Sequence, residues 1–175
     1  MRAKSFLCLA AILPLLVFFV PGAHAGEDSG YARAIRHYEA GRFDEARAIF
    51  LALADDGRAE AEFMLGVLYF YGKGVDQSSK NAALWFYRAA EQNDANAQLA
   101  LGSLHIRGIG VRQNLGRAYM WLTLAAGNGP PPVAQRARLL LQEITPLMRD
   151  AELEDAMTAA ASWTPRSRGI GTAAQ

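Results

Sequence analysis

Apolar and small residues recur at helical spacing through most of the chain. In residues 61–93 they fall at Ala61, Leu65, Leu68 and Tyr69, and again at Ala82, Trp85, Phe86, Ala89 and Ala90. A spacing of three or four residues predicts amphipathic helices. The loop Gly72-Lys73-Gly74-Val75 separates the two groups, and glycine tolerates the positive φ that commonly ends a helix. The segment therefore predicts two antiparallel helices joined by a glycine loop.

The same plan returns 36 residues later, in residues 97–129, with no gap. Identical pairs include the Leu-Gly pair at 65–66 and 101–102, the loop glycines, and Trp85 with Trp121. A fixed period of this length is typical of a solenoid. A glycine inside a helix costs about 1 kcal/mol relative to alanine, so we expect another helix to pass close to Gly66 and Gly102. Trp85 and Trp121 are expected at equivalent core positions.

The remaining segments also read as helices. Residues 31–57 form a shorter unit with GRFDEA as its turn, and residues 133–163 follow a break at Pro130-Pro131-Pro132. Thr145-Pro146 is predicted to cap and start the last helix, which would end near Trp163. Residues 164–175 read as a flexible tail. Without a convincing alternating segment, the prediction is all-α: a right-handed solenoid of antiparallel helix pairs over residues 26–163 with C-terminal capping helices.

The first 25 residues have the pattern of an export signal. Arg2 and Lys4 precede an apolar stretch, and Ala23-His24-Ala25 follows as a small-residue cleavage pattern. We expect cleavage after Ala25 and a periplasmic or secreted protein. An uncleaved membrane anchor is the alternative, although an apolar stretch of 16 residues is short for a span.

The charge of the chain serves only to exclude certain binding partners. Removing Arg2 and Lys4 changes the formal net charge from +1 to −1. A balanced charge argues against binding to nucleic acid. No run of about 18 apolar residues follows the signal, so no membrane span is expected after cleavage. The single cysteine, Cys8, lies inside the signal, and the rest of the chain relies on packing alone.

The unit AxxxLGxxYxxGxGVxxxxxxAxxWxxxAA resembles the Sel-1-like repeat, a branch of the tetratricopeptide superfamily. The resemblance covers residues 61–93 and 97–129, while residues 31–57 resemble an ordinary tetratricopeptide repeat through Tyr38, Gly41, Phe43, Ala46, Phe50 and Leu53. Two positions depart from the pattern: His105 stands where a tyrosine is expected, and Gly116 where a lysine is usual. The resemblance implies a protein that binds other proteins, often as an adaptor or regulator of bacterial signalling or envelope processes.

A search for catalytic chemistry finds no convincing site. Only His37 and His105 follow the signal, and neither has the spacing of a zinc motif. No serine lies in a nucleophile motif, and the glycine pairs follow helices rather than the strand that a dinucleotide site needs. The acidic residues Asp150, Glu152, Glu154 and Asp155 lack the pattern of a calcium loop and read as a solvated helix face. We therefore predict no enzyme activity, no cofactor and no metal site.

Three functions remain for such a chain. The leading hypothesis is an exported protein–protein interaction module that binds a segment of an envelope protein. The first alternative is a sensor of small ligands or cell-wall fragments. The second is a cell-wall or antibiotic amide hydrolase, as the resemblance allows, although the chain offers no nucleophile or metal for it.

The resemblance also implies where a partner would bind, because the first helix of every tetratricopeptide unit lines a concave groove. The predicted groove residues are Tyr31, Ile35, Tyr38, Glu39, Phe63, Val67, Phe70, Tyr71, Leu99, Ser103, Ile106 and Arg107. Three consecutive aromatics at positions 69–71 support this, since at least one should face outward. Alternatively, Phe63 and Phe70 pack against the flanking helices or against a carboxy-terminal segment folded back over the groove, and the binding face lies on the loops around Lys73 and Arg112.

Overall fold

The structure, a computed structural model, describes residues 30–166. These residues form helices and connecting turns, without a β-strand. The helices are α1 Gly30–Glu39, α2 Phe43–Asp55, α3 Ala59–Tyr71, α4 Ser79–Glu91, α5 Ala95–Arg107, α6 Leu115–Asn128, α7 Pro131–Ile144 and α8 Asp150–Ser162. The predicted export signal lies outside the described residues. Within them, no helix has the length and apolar character needed to cross a bilayer.

Helices pair in chain order, which is the arrangement that the repeats predict. The pairs α1–α2, α3–α4 and α5–α6 each pack together, and each pair packs against the next. Helix α7 packs on α6 and α5, whereas α8 packs on α6. The result is an all-α solenoid of stacked helix pairs, as predicted.

The mid-helix glycines lie where two helices of one unit touch. A Cβ atom on Gly66 would lie 2.5 Å from two ring carbons of Phe86 in α4. A Cβ atom on Gly102 would lie 2.5 Å from Cγ of Leu122 in α6. Both distances are well below van der Waals contact, so the close approach expected from the sequence is present in both repeats.

The second glycine of each loop joins neighbouring units. Gly74 and Gly110 have φ of +65° and +70°, which glycine adopts without strain. A Cβ atom on Gly74 would lie 2.8 Å from Cβ of Phe43, at the start of α2. A Cβ atom on Gly110 would lie 2.1 Å from the carbonyl oxygen of Ser79, at the start of α4. Each loop therefore rests on the second helix of the preceding unit.

A further identical pair, Gln77 and Gln113, holds the loops in shape. The side-chain amide of Gln77 donates to the Phe70 carbonyl at 2.9 Å, and that of Gln113 donates to the Ile106 carbonyl at 2.8 Å. These bonds satisfy carbonyls that the last turn of a helix leaves without an intrahelical partner. The 36-residue period contained this signal, because both positions carry glutamine.

The carboxy-terminal region differs from the sequence prediction. Thr145–Leu147 form a single 3-10 turn, and the last helix begins only at Asp150. The Thr145 hydroxyl donates back to the Leu141 carbonyl at 2.7 Å, so this residue ends α7 instead of capping α8. The prediction that Thr145-Pro146 starts the last helix is therefore wrong.

Candidate functional site

Four of the predicted groove residues are buried in the core. Phe63 is 6% exposed and Val67 1% exposed, and Ile35 and Ser103 are also buried. The Phe63 ring lies 5.5 Å from that of Phe86, so this residue packs against the neighbouring helix. These four positions are corrected from groove to core. The physical reason is that residues 61–68 of α3 and 100–105 of α5 are buried on every side, while Ile35 of α1 packs into the same core as Phe63.

Two more predicted groove residues are partly covered. The Tyr31 ring packs 5.8 Å from the Phe50 ring, and burial raises the pKa of the Tyr31 phenol. Leu99 packs against a hydrophobic cluster that α5, α6 and α7 form together. Neither side chain presents an open binding surface.

The other six predicted residues form the last turns of three successive first helices. They are the pairs Tyr38–Glu39, Phe70–Tyr71 and Ile106–Arg107. In each pair the first residue is half-buried and the second is exposed. Tyr71 is 37% exposed, and its ring meets the Phe70 ring edge-on at 5.1 Å. The surface part of the predicted groove is therefore confined to this edge of the solenoid.

A lysine lies among the aromatic rings of this edge. The ammonium nitrogen of Lys73 lies 4.6 Å from the centre of the Tyr38 ring, 5.1 Å from that of Phe43 and 5.8 Å from that of Tyr71. It also donates a hydrogen bond of 3.0 Å to the Tyr38 hydroxyl. We call Tyr38, Phe43, Phe70, Tyr71 and Lys73 the aromatic edge.

The loop glycines position Lys73 in the aromatic edge. Gly72 ends α3 in the left-handed conformation and Gly74 rests on Phe43, so Lys73 between them is directed toward the rings of α1 and α2. Among the described residues, no carboxylate lies within ion-pair distance of Lys73. The attraction of the ammonium to the ring faces is worth roughly 0.5–2 kcal/mol per favourable contact. Two of its three N–H donors remain for another acceptor.

The second repeat does not reproduce this arrangement. Ile109 stands where the first repeat has Lys73, and His105 stands where it has Tyr69. His105 is buried and its Nδ1 lies 3.2 Å from the Arg112 carbonyl, while burial lowers the pKa of the ring. His105 is thus a packing residue, and the aromatic edge is unique to the first of the two matched repeats.

The second helices of the two matched repeats carry another group of rings. Trp121 is 3% exposed and lies between Tyr87, at 5.9 Å, and Trp163, at 6.1 Å. Trp85, expected at an equivalent core position, is only half-buried and lies against the Arg88 guanidinium at 4.4 Å. Trp163, in the segment after α8, covers part of Trp121.

The described residues were compared with the requirements of a metal site and of a ligand pocket. No group of three His, Cys, Asp or Glu side chains is placed to hold a metal ion there. A shallow cleft of about 270 Å³ lies between α6 and α8, lined by residues that include Arg117, Glu152 and Asp155. It is slightly smaller than the roughly 300–1,000 Å³ of typical ligand pockets.

Comparison with known proteins identifies the repeats. The Sel1 repeat family model matches residues 59–94 and 95–130. A crystal structure of c5321, described as a protective antigen in uropathogenic Escherichia coli strains displaying an SLR fold, superposes with a TM-score of 0.69 at 24% identity. A Sel1 repeat protein from Oxalobacter formigenes superposes with a TM-score of 0.61 at 25% identity. No curated protein matches this chain significantly.

The chain spans only part of these two solved proteins. The superpositions cover 77% and 75% of this chain, but 29% of the Escherichia coli protein and 55% of the Oxalobacter formigenes protein. The likeness therefore concerns the helical repeats that the chains share.

Proposed function

We propose that this chain, whose residues 59–130 match the Sel1 repeat, a unit of solenoids suited to protein–protein interaction, is an exported adaptor that binds a segment of an envelope protein at its aromatic edge. The observation that carries this proposal is the Lys73 ammonium, held among exposed and half-exposed rings without a carboxylate partner in the described residues. Tyrosine is one of the side chains that most often anchor a protein partner, and the aromatic edge carries Tyr38 and Tyr71.

The chemistry of the edge defines the partner segment. Tyr71 and Phe70 offer apolar ring surface, and the half-buried Lys73 has two N–H donors besides the one bonded to Tyr38. A segment that places a carboxylate at Lys73 and an apolar side chain against Tyr71 satisfies both. A charge-assisted hydrogen bond beside an apolar surface gains more than it does in open water. Glu39 and Arg107, exposed on the neighbouring helices, add one charge of each sign to the surroundings.

A capture experiment tests this proposal. Tagged protein is crosslinked in cells, purified from the envelope fraction, and its partners are identified by mass spectrometry. Tyr71→Ser should lose the specific partner, and so should Lys73→Gln. Leu139→Ser is the matched control, because Leu139 is similarly exposed, at 47%, but lies on α7. Phe70 is left unchanged, since it is half-buried against the core.

The outcome is decisive when stability is measured alongside. Equal melting temperatures with partner loss only in the edge variants would support the proposal. Equal capture by all variants would place the binding surface elsewhere.

The proposed export is tested separately, by mass spectrometry of the mature protein. Gly26 at the amino terminus is expected, whereas an intact Met1 in a membrane fraction would favour the anchor.

A further inference from the structure

The segment after α8 contacts α6 and α4 through Trp163 and Arg166. Trp163 has φ −69° and ψ 138°, and Pro165 restricts the backbone that follows. The Trp163 ring packs on Trp121 of α6, and Arg166 reaches Glu91 at the end of α4. Three residues that read as the start of a flexible tail, 164–166, are thus held on the second helices of two repeats; residues 167–175 lie outside the described part.

Glu91 receives this segment through two different groups. The Arg166 backbone N–H donates to the Glu91 carbonyl at 2.7 Å, and the Arg166 guanidinium lies 3.1 Å from the Glu91 carboxylate. The Glu91 side chain is 17% exposed, so its charge is largely removed from water. The end of a helix also favours a cation, because its carbonyl dipoles point outward there. Glu91 is therefore a preformed acceptor for an arginine.

The rings of Tyr87 and Trp121 form the other half of the site. Trp121 is fixed by burial, and the Tyr87 ring lies against it at 85°. Burial and the neighbouring Glu91 carboxylate raise the pKa of Tyr87, which places this phenol next to the same acid. An indole that enters here meets Trp121 edge-on at 73°, a favourable arrangement for two aromatic rings.

The contacts of the resident segment are weak enough to be exchanged. The Arg166 side chain is 76% exposed, so water can replace its contacts when the segment leaves. Trp163 follows the last residue of α8, so it can leave without unwinding the helix. The receiving groups, in contrast, lie on two packed helices.

We propose that Tyr87, Glu91 and Trp121 form a docking site for an extended Trp-x-x-Arg segment, which Trp163–Arg166 occupies within the chain and for which a partner segment of the same chemistry competes. This site lies on α4 and α6 and does not depend on the aromatic edge. The partner segment would replace Trp163–Arg166 on Trp121, so that the Trp121 indole stays covered.

A peptide-binding measurement tests the site. The probe is a fluorescein-labelled peptide with the sequence ASWTPRS, which reproduces residues 161–167, and its binding is followed by fluorescence anisotropy. The full chain carrying Trp163→Ala and Arg166→Ala should bind the peptide, while the wild-type chain should bind it at least ~tenfold more weakly because its own segment competes. Adding Glu91→Gln to the opened chain should weaken binding ~tenfold, since the charge-assisted bond is lost.

Control peptides separate recognition from nonspecific adhesion. A peptide with glutamine in place of arginine should bind the opened chain weakly, and Glu91→Gln should not weaken it further. Equal binding of the original peptide to the opened chain with and without Glu91→Gln would overturn the proposal. So would the absence of binding to an opened chain that keeps its helical circular dichroism and melting temperature. If the double variant unfolds, Arg166→Ala alone is measured against the same criteria.

Discussion

The substitution Gly66→Ala tests the packing on which the whole fold depends. An alanine Cβ at this position would lie 2.5 Å from two carbons of the Phe86 ring, whereas carbon atoms at rest are about 3.5–4.0 Å apart. Phe86 is fully buried and packs against Phe63, so its ring has little room to move away. Either α3 and α4 separate by about 1 Å or the ring leaves its preferred rotamer.

The expected magnitude follows from two opposing effects. Overpacking a rigid core costs about 1–3 kcal/mol, and the fixed ring puts Gly66→Ala at the upper end. Alanine favours the helix by about 1 kcal/mol over glycine. The free energy of unfolding should therefore fall by about 2 kcal/mol, which lowers the melting temperature by roughly 5–10 °C in a domain of this size. Circular dichroism at 222 nm during thermal and urea unfolding measures both quantities.

Gly127→Ala is the matched control for this prediction. Gly127 also lies in a helix, but no atom lies within 4 Å of a Cβ placed there. The same chemical change should then raise the free energy of unfolding by up to about 1 kcal/mol. If Gly66→Ala melts at or above the wild-type temperature, the close approach of α3 and α4 is refuted.

Three further predictions concern other contacts. Burial raises the pKa of Asp94 from 3.8 to about 6, although its carboxylate caps α5 through the Ala97 N–H. The folded state holds this proton more tightly than the unfolded state, so stability should fall as pH rises from about 4 to about 6. Asp94→Asn keeps the cap and should abolish that fall in pH-dependent urea melts. Trp121→Ala should cost about 3–5 kcal/mol in chemical unfolding, and the half-buried Trp85→Ala at most about half of this. Gly74→Ala should lower stability by about 2–4 kcal/mol through positive φ and contact with the preceding unit. Gly41→Ala, at φ +74° in open space, should lose only about 1–2 kcal/mol; equal losses would contradict the contact between units.

The contacts within a unit could be predicted from the sequence, because the repeat supplies two copies of each. The pairing of Gly66 with α4 follows from a helix-breaking residue retained at the same place in both copies. Helix type and loop positions follow from spacing in the same way. The helices, loops and internal contacts of one unit can therefore be predicted from the residues of that unit.

The candidate site was predicted less well, because it depends on contacts between units. Phe63 and Val67 were assigned to a groove by their position in one helix, but the neighbouring helices cover them. Tyr38, Phe43 and Lys73 come from different helices and a loop, and no spacing in the sequence brings them together. Trp121 is also covered by Trp163, which lies more than 40 residues further along the chain.

The loop glycines that rest on the preceding unit make the solenoid extensible. Gly74 meets the start of α2 and Gly110 meets the start of α4, so each repeat carries the connector for the unit before it. A duplicated segment of residues 61–96, inserted after residue 96, would bring its own connector and meet Ser79, as Gly110 does now. Growth by whole repeats thus needs no new connector. A gain or loss of a few residues inside a repeat, in contrast, would misplace the connector and separate every later unit from the earlier ones.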